Sequence, residues 1–136
     1  EARYKVFLEQ YATIVSIEAR TLIMMLSTKV LPAGLRYQGE LASIVTASHA
    51  NSVVCDRSTE RLGDVARFTE SLQEPIETLQ ATVFQEHENL IEHANAVRDS
   101  LLPAMSVARI ISDHLEELVP DDMWPLPSYT EMLFIR

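Results

Sequence analysis

The chain has 136 residues, of which 47% are hydrophobic and only three are glycine, and its net charge at pH 7 is −9. This length suits one domain with a single core, and so apolar a composition excludes a disordered chain. The acidic balance opposes binding to phosphate backbones and to anionic membrane surfaces, so neither nucleic acid nor a membrane is expected as a partner. The scarcity of glycine argues against a β-rich fold, which needs turn residues at short intervals.

Cysteine usage and the first residues point to a cytoplasmic protein. Cys55 is the single cysteine, so no internal disulfide can form, which fits a reducing compartment. There is no charged-then-apolar leader, and the most apolar window is interrupted by Glu18 and Arg20 and too short to span a bilayer. The sequence starts at Glu1 without a methionine, which is expected of a piece of a longer protein, although removal of a tag would give the same start.

Residues 3–48 are predicted to form one long helix. Apolar side chains recur in steps of three and four from Tyr4 onwards, and residues 14–26 are apolar on nearly every side. Such a segment is typical of a central rod that the rest of the domain surrounds. Pro32 lacks a backbone donor, so we expect a kinked continuation to about Ser48. Asn51 and Ser52 then suit a turn.

A second helix is predicted to begin near residue 58, with Asp56 or Ser58 as its N-cap. Its apolar residues recur at nearly heptad spacing as far as Val97. Pro75 lies inside this run and indicates either a kink or a restart of the helix.

A turn is expected between Gln85 and Asp99. A single helix from Ser58 to Val119 would be roughly 90 Å long, too long to pack against the first helix. The helix after this turn is predicted to bend at Pro103 and to end at Pro120.

The last residues differ in kind from the helices. Residues 124–129 form a proline-rich aromatic segment, and Ser128 with Glu131 matches a capping box, which predicts a short helix at about 129–134. The whole pattern predicts a single all-α domain over 1–136. It is an up-and-down bundle of three to four long, proline-kinked helices, followed by a short extended segment and a short C-terminal helix.

No catalytic, cofactor-binding or metal-binding residue is predicted. His87 and His93 are six residues apart, about 240° around a helix, so on one continuous helix they point away from each other. Cys55 is interpreted as a structural thiol because its acidic neighbour Asp56 does not favour a thiolate. The sequence contains no glycine-rich phosphate loop and no nucleophile elbow. His49, His114, Glu18 and Arg20 are expected to be surface or packing residues, although Glu18 and Arg20 could also make a buried polar contact.

The tail resembles a known family. Residues 124–129 (WPLPSY) and 131–134 (EMLF) resemble the extreme C-terminus of type III glutamine synthetases. Upstream segments resemble the helical C-terminal region of the same family: 17–21, 31–33, 37–38, 102–105 and 115–119. The middle of the chain, about 50–95, shares only its helical character with that family.

The resemblance implies a parent enzyme that joins ammonia to glutamate with ATP and a divalent metal, Mg or Mn, in a ring-shaped homo-oligomer. It implies that this fragment is non-catalytic and structural, with the upstream catalytic domain and neighbouring subunits as partners. The tail would then lie in a groove on these helices or on another subunit. Its expected packing or interface residues are Trp124, Pro125, Pro127, Tyr129, Leu133 and Phe134. The alternatives are a stand-alone helical protein-binding or sensory bundle, or a helical metal-binding domain.

Overall fold

The computed structural model describes residues 2–127, in which every regular element is helical. The first rod joins α1 (Ala2–Met25), a π-helical turn (Leu26–Val30) and α2 (Leu31–Ala50). The second rod is α3 (Asp56–Val83). The third rod joins α4 (Leu90–Ala96), a π-helical turn (Val97–Leu101) and α5 (Leu102–Leu118). The all-α prediction is confirmed. The helices of the described segment form three rods, and the predicted helix at 129–134 lies outside the described residues.

Both π-helical turns precede the tripeptide Leu-Pro-Ala. Pro32 and Pro103 each stand at the start of the following helix. A proline has no N–H and its ring crowds the carbonyl four residues back, so an ordinary α turn is disfavoured there. The wider turn closes instead through Leu31 N–H donating to the Leu26 carbonyl, and Leu102 N–H to the Val97 carbonyl. The predicted continuation of the helix through Pro32 is therefore confirmed, and it is achieved by a change of hydrogen-bond register.

The start of α3 differs from the prediction. Cys55 occupies the N-cap position and makes no side-chain capping bond, so the assignment of the cap to Asp56 or Ser58 is wrong. Thr59 Oγ1 donates instead to the Cys55 carbonyl at 3.0 Å. Pro75 is buried inside α3, which continues without a restart to Val83.

The loop at residues 51–55 begins with a tight helix ending. Val53 N–H donates to the Ser48 carbonyl at 2.8 Å, and Ser52 N–H to the His49 carbonyl at 3.2 Å. This is the Schellman pattern, and Ser52 holds its left-handed position with φ of 56°. The predicted turn at Asn51 and Ser52 is confirmed.

The core lies around α3, which contacts α1, α2 and α5. Leu72, Leu79 and Val65 of α3 are fully buried, together with Leu26 and Leu101 from the two π-helical turns. The interpretation of the first helix as a rod surrounded on nearly every side is therefore wrong for this chain. α1 buries one side, through Ala12, Val15, Ala19 and Ile23, while its opposite side stays exposed.

α2 and α3 lie close together at Gly34. A Cβ built on Gly34 would lie 2.6 Å from Thr69 Oγ1, so only a residue without a side chain fits here. Thr69 is 1% exposed, and its hydroxyl has no hydrogen-bond partner within the described segment. The glycine at 34 is thus a packing requirement, whereas Gly39 and Gly63 have open space around them.

Candidate functional site

The two histidines that were expected to point apart lie face to face. His87 stands in the irregular segment before α4, and His93 is on α4, with ring centroids 5.1 Å apart and planes 15° from parallel. Ser16 Oγ of α1 lies 3.3 Å from His93 Nε2. The prediction of divergent side chains is wrong because the helix does not include His87.

Asn89 explains why the helix starts after His87. Its side chain accepts a hydrogen bond from Glu92 N–H at 2.9 Å, and the Glu92 carboxylate accepts one from Glu88 N–H at 3.1 Å. This pair of reciprocal bonds is a variant of the capping box. The predicted turn between Gln85 and Asp99 is confirmed: the non-helical segment is 84–89, which begins one residue before that range.

The stacked pair lines a cleft of about 620 Å³ between α1 and the segment before α4. Burial, and then the charge of His87, lower the pKa of His93 from its usual value of 6.5. Both effects favour the neutral imidazole. Parallel rings do not direct their nitrogen lone pairs at a common point, which is what a metal ion needs. In the part of the chain that the structure describes, no three His, Cys, Asp or Glu side chains come together as a possible metal site.

Arg61 ties all three rods together at the other end of the domain. Its Nε donates to Tyr37 Oη of α2 at 2.8 Å, and its Nη2 donates to the Leu118 carbonyl at the end of α5 at 2.9 Å. The guanidinium carbon also lies 5.8 Å from the Tyr37 ring centroid. A cation is favourable at a helix C-terminus, where carbonyls lack intrahelical partners.

The chain leaves α5 through a turn that directs Trp124 into the core. Met123 N–H and Trp124 N–H both donate to the Pro120 carbonyl, at 2.9 and 3.0 Å. Trp124 is 8% exposed and belongs to the main buried cluster, while Pro125 and Pro127 are exposed. The Trp124 indole N–H has no acceptor among residues 2–127. The other three expected tail residues lie outside the described segment: Tyr129, Leu133 and Phe134.

The exposed side of α1 carries large apolar residues, which we call the α1 apolar face. They follow one another in steps of three and four, and therefore share one side of the helix. Their exposed fractions are 66% for Tyr4, 62% for Phe7, 40% for Tyr11, 56% for Ile14 and 58% for Ile17. The Phe7 and Tyr11 rings are nearly parallel, with centroids 6.4 Å apart.

The remaining reactive side chains have ordinary surroundings. Cys55 is half-buried, and its Sγ lies 3.8 Å from Thr59 Oγ1. His114 stacks on Phe68 at 4.7 Å, so its role is packing, as expected. Glu18 and Arg20 are both exposed, and the Arg20 guanidinium lies 5.2 Å from the Phe84 ring.

Comparison with known proteins supports the resemblance seen in the tail. A family model described as "Glutamine synthetase C-terminal domain" matches residues 1–49. The whole chain aligns with the type-3 glutamine synthetase of Dictyostelium discoideum, at 33% identity over 144 residues, and covers 20% of that protein. It aligns over 98% of its length with a glutamine synthetase of Bacteroides fragilis (strain YCH46), at 27% identity and again 20% of that protein.

The chain thus spans about one fifth of the length of the relatives it matches. The predicted helical character is confirmed for residues 2–127. No helix within these residues is long and apolar enough to cross a membrane. The resemblance to the C-terminal domain of type III glutamine synthetases is therefore confirmed.

Proposed function

We propose that this domain is a non-catalytic structural part of a type III glutamine synthetase. The observation that carries the proposal is the alignment of the whole chain with only one fifth of a type-3 glutamine synthetase. The domain has its own closed core, so it can act as a rigid body beside the rest of such a polypeptide. The parent would ligate ammonia to glutamate with ATP and a divalent metal, Mg or Mn, in the cytoplasm.

Contacts between the three rods indicate the direction in which each rod runs. Gly34 of α2 faces Thr69, while Tyr37, further along α2, bonds to Arg61, which precedes Thr69 on α3. This order supports an antiparallel pairing of α2 and α3. Phe68 beside His114, and Arg61 beside the Leu118 carbonyl, support the same pairing of α3 and α5. We therefore propose an up-and-down arrangement of three rods.

The tail is proposed to fix the end of this body. Trp124 is held in the core of its own chain, which favours packing in cis for this residue. Pro125 and Pro127 are exposed beside it and restrict the direction of the chain that follows. Tyr129, Leu133 and Phe134 are proposed to reach the catalytic domain or a neighbouring subunit of the homo-oligomer.

Deletion of the domain from the intact parent enzyme tests the proposal. Ring assembly would be measured by sedimentation velocity, and glutamine formation would be measured on the same samples. We expect the truncated enzyme to lose assembly, activity or both, and the isolated 136-residue chain to show no ligase activity. A truncated enzyme with the oligomer size and activity of the parent would refute the structural role. Glutamine formation by the isolated chain would refute its non-catalytic nature.

A further inference from the structure

The side of α1 that faces away from the core carries more large exposed apolar residues than any other helix of the described chain. Soluble domains seldom expose contiguous apolar surface of this kind unless it meets a partner. Aromatic residues are also enriched in the buried centres of protein interfaces, and two tyrosines and a phenylalanine lie on this face.

A hollow between α1 and the start of α4 extends the same surface. Its volume is about 620 Å³, and its lining is mostly apolar: Tyr4, Lys5, Leu8, Asn89, Leu90 and Ile91. Ile91 is 67% exposed at its edge. A hollow of this kind can take an inserted apolar side chain, which is the usual form of an energetic anchor in an interface.

The distribution of charge separates this surface from the rest of the domain. Residues 2–50 contain five basic side chains (Arg3, Lys5, Arg20, Lys29, Arg36) and three acidic ones (Glu9, Glu18, Glu40), although the whole chain carries −9. The acidic excess therefore lies in the later helices. An apolar face on a slightly basic helix fits a partner surface that is apolar with acidic groups at its rim.

We propose that the α1 apolar face is the surface by which this domain docks onto the larger remainder of its parent polypeptide. This inference rests on the proposed function, since four fifths of each aligned relative lies outside the matched region. A body of that size has enough surface to cover the α1 apolar face, which the helices within residues 2–127 leave exposed. A second copy that docks through its own α1 is the less suitable occupant, because it would bring another slightly basic helix to the interface in place of an acidic rim.

The test uses the intact parent polypeptide with a benzophenone amino acid in place of Phe7, and in place of Ile110 as the control. Crosslinked peptides would be identified by mass spectrometry. We expect Phe7 to crosslink to residues outside this domain, and Ile110 to crosslink to them much less. Crosslinks from Phe7 to α1 of another copy would overturn the proposal in favour of self-association. No crosslink from Phe7 to any protein residue would overturn it in favour of a solvated face.

A pair of matched substitutions gives a second measurement. Ile14 and Ile110 are 56% and 55% exposed, so Ile14→Asp and Ile110→Asp are both expected to leave the urea midpoint of the isolated chain unchanged. In the intact parent, Ile14→Asp should lower the association constant for ring assembly, measured by sedimentation velocity, by about tenfold, equivalent to about 1.4 kcal/mol. Ile110→Asp should have little effect. If deletion of the domain impairs the enzyme but Ile14→Asp does not, the docking surface is wrong and the proposed function stands.

Discussion

Gly34→Ala is expected to destabilise the chain, although alanine is ordinarily the better helix former. The added Cβ would lie 2.6 Å from Thr69 Oγ1 and 3.4 Å from Thr69 Cγ2. Thr69 is 1% exposed and branched at Cβ, so its side chain has little room to turn away. Helix propensity would contribute about 0.5–1 kcal/mol in favour of alanine. Overpacking a core costs roughly 1–3 kcal/mol, so we expect a net loss of about 0.5–2 kcal/mol.

Two matched controls separate packing from propensity. Gly39 and Gly63 have nothing within 4 Å of a built Cβ, so Gly39→Ala and Gly63→Ala should each stabilise the chain by about 0.5–1 kcal/mol. The assay is urea unfolding of the 136-residue chain, followed by far-UV circular dichroism. In a Thr69→Ala background the clash is gone, and Gly34→Ala should become favourable. A Gly34→Ala variant as stable as Gly39→Ala would refute the close approach of α2 and α3.

Five further substitutions, at four residues, test the other contacts. Arg61→Ala should cost about 1–2 kcal/mol in urea unfolding because it removes bonds to Tyr37 and to the end of α5, whereas Tyr37→Phe should lose only part of this. Trp124→Ala should cost about 3–5 kcal/mol, and Trp124→Phe clearly less, since the indole N–H has no acceptor among the described residues. Folding lowers the pKa of His93, so the unfolded chain takes up a proton at a higher pH than the folded chain does. The free energy of unfolding should therefore fall as the pH drops below about 6.5. His93→Gln should reduce this loss, as measured by the urea midpoint between pH 7 and pH 5.

The helices were largely predictable because their signals are local. The spacing of apolar residues predicted the first rod through Pro32, and the turn after α3 followed from the length of the remaining pattern. The position of that turn was also encoded locally. Asn89 followed by Glu92 is a helix-start signal, and recognising it would have placed His87 outside α4 and beside His93.

The contacts between helices were not predictable from spacing. Arg61 and the Leu118 carbonyl are 57 residues apart in the sequence, and nothing near either residue indicates the other. The spacing of apolar residues also failed to predict that one side of α1 is exposed. Ile14 and Ile17 gave the apolar pattern of a buried helix, yet the helices within residues 2–127 cover only one side of α1. An apolar pattern therefore predicts that a face is covered, without indicating which part of a larger protein covers it.

If the α1 apolar face docks onto the body of a larger enzyme, that face is hidden from solvent in the parent polypeptide. Hydroxyl-radical footprinting of the isolated chain and of the intact parent measures this protection, with Phe7 as the probe and Phe84 as the control. The two side chains are 62% and 67% exposed in the isolated domain. We predict that the oxidation rate of Phe7 falls by about tenfold or more in the parent while that of Phe84 changes little. Equal oxidation of Phe7 in the chain and in the parent would show that the α1 apolar face stays exposed and would refute the docking.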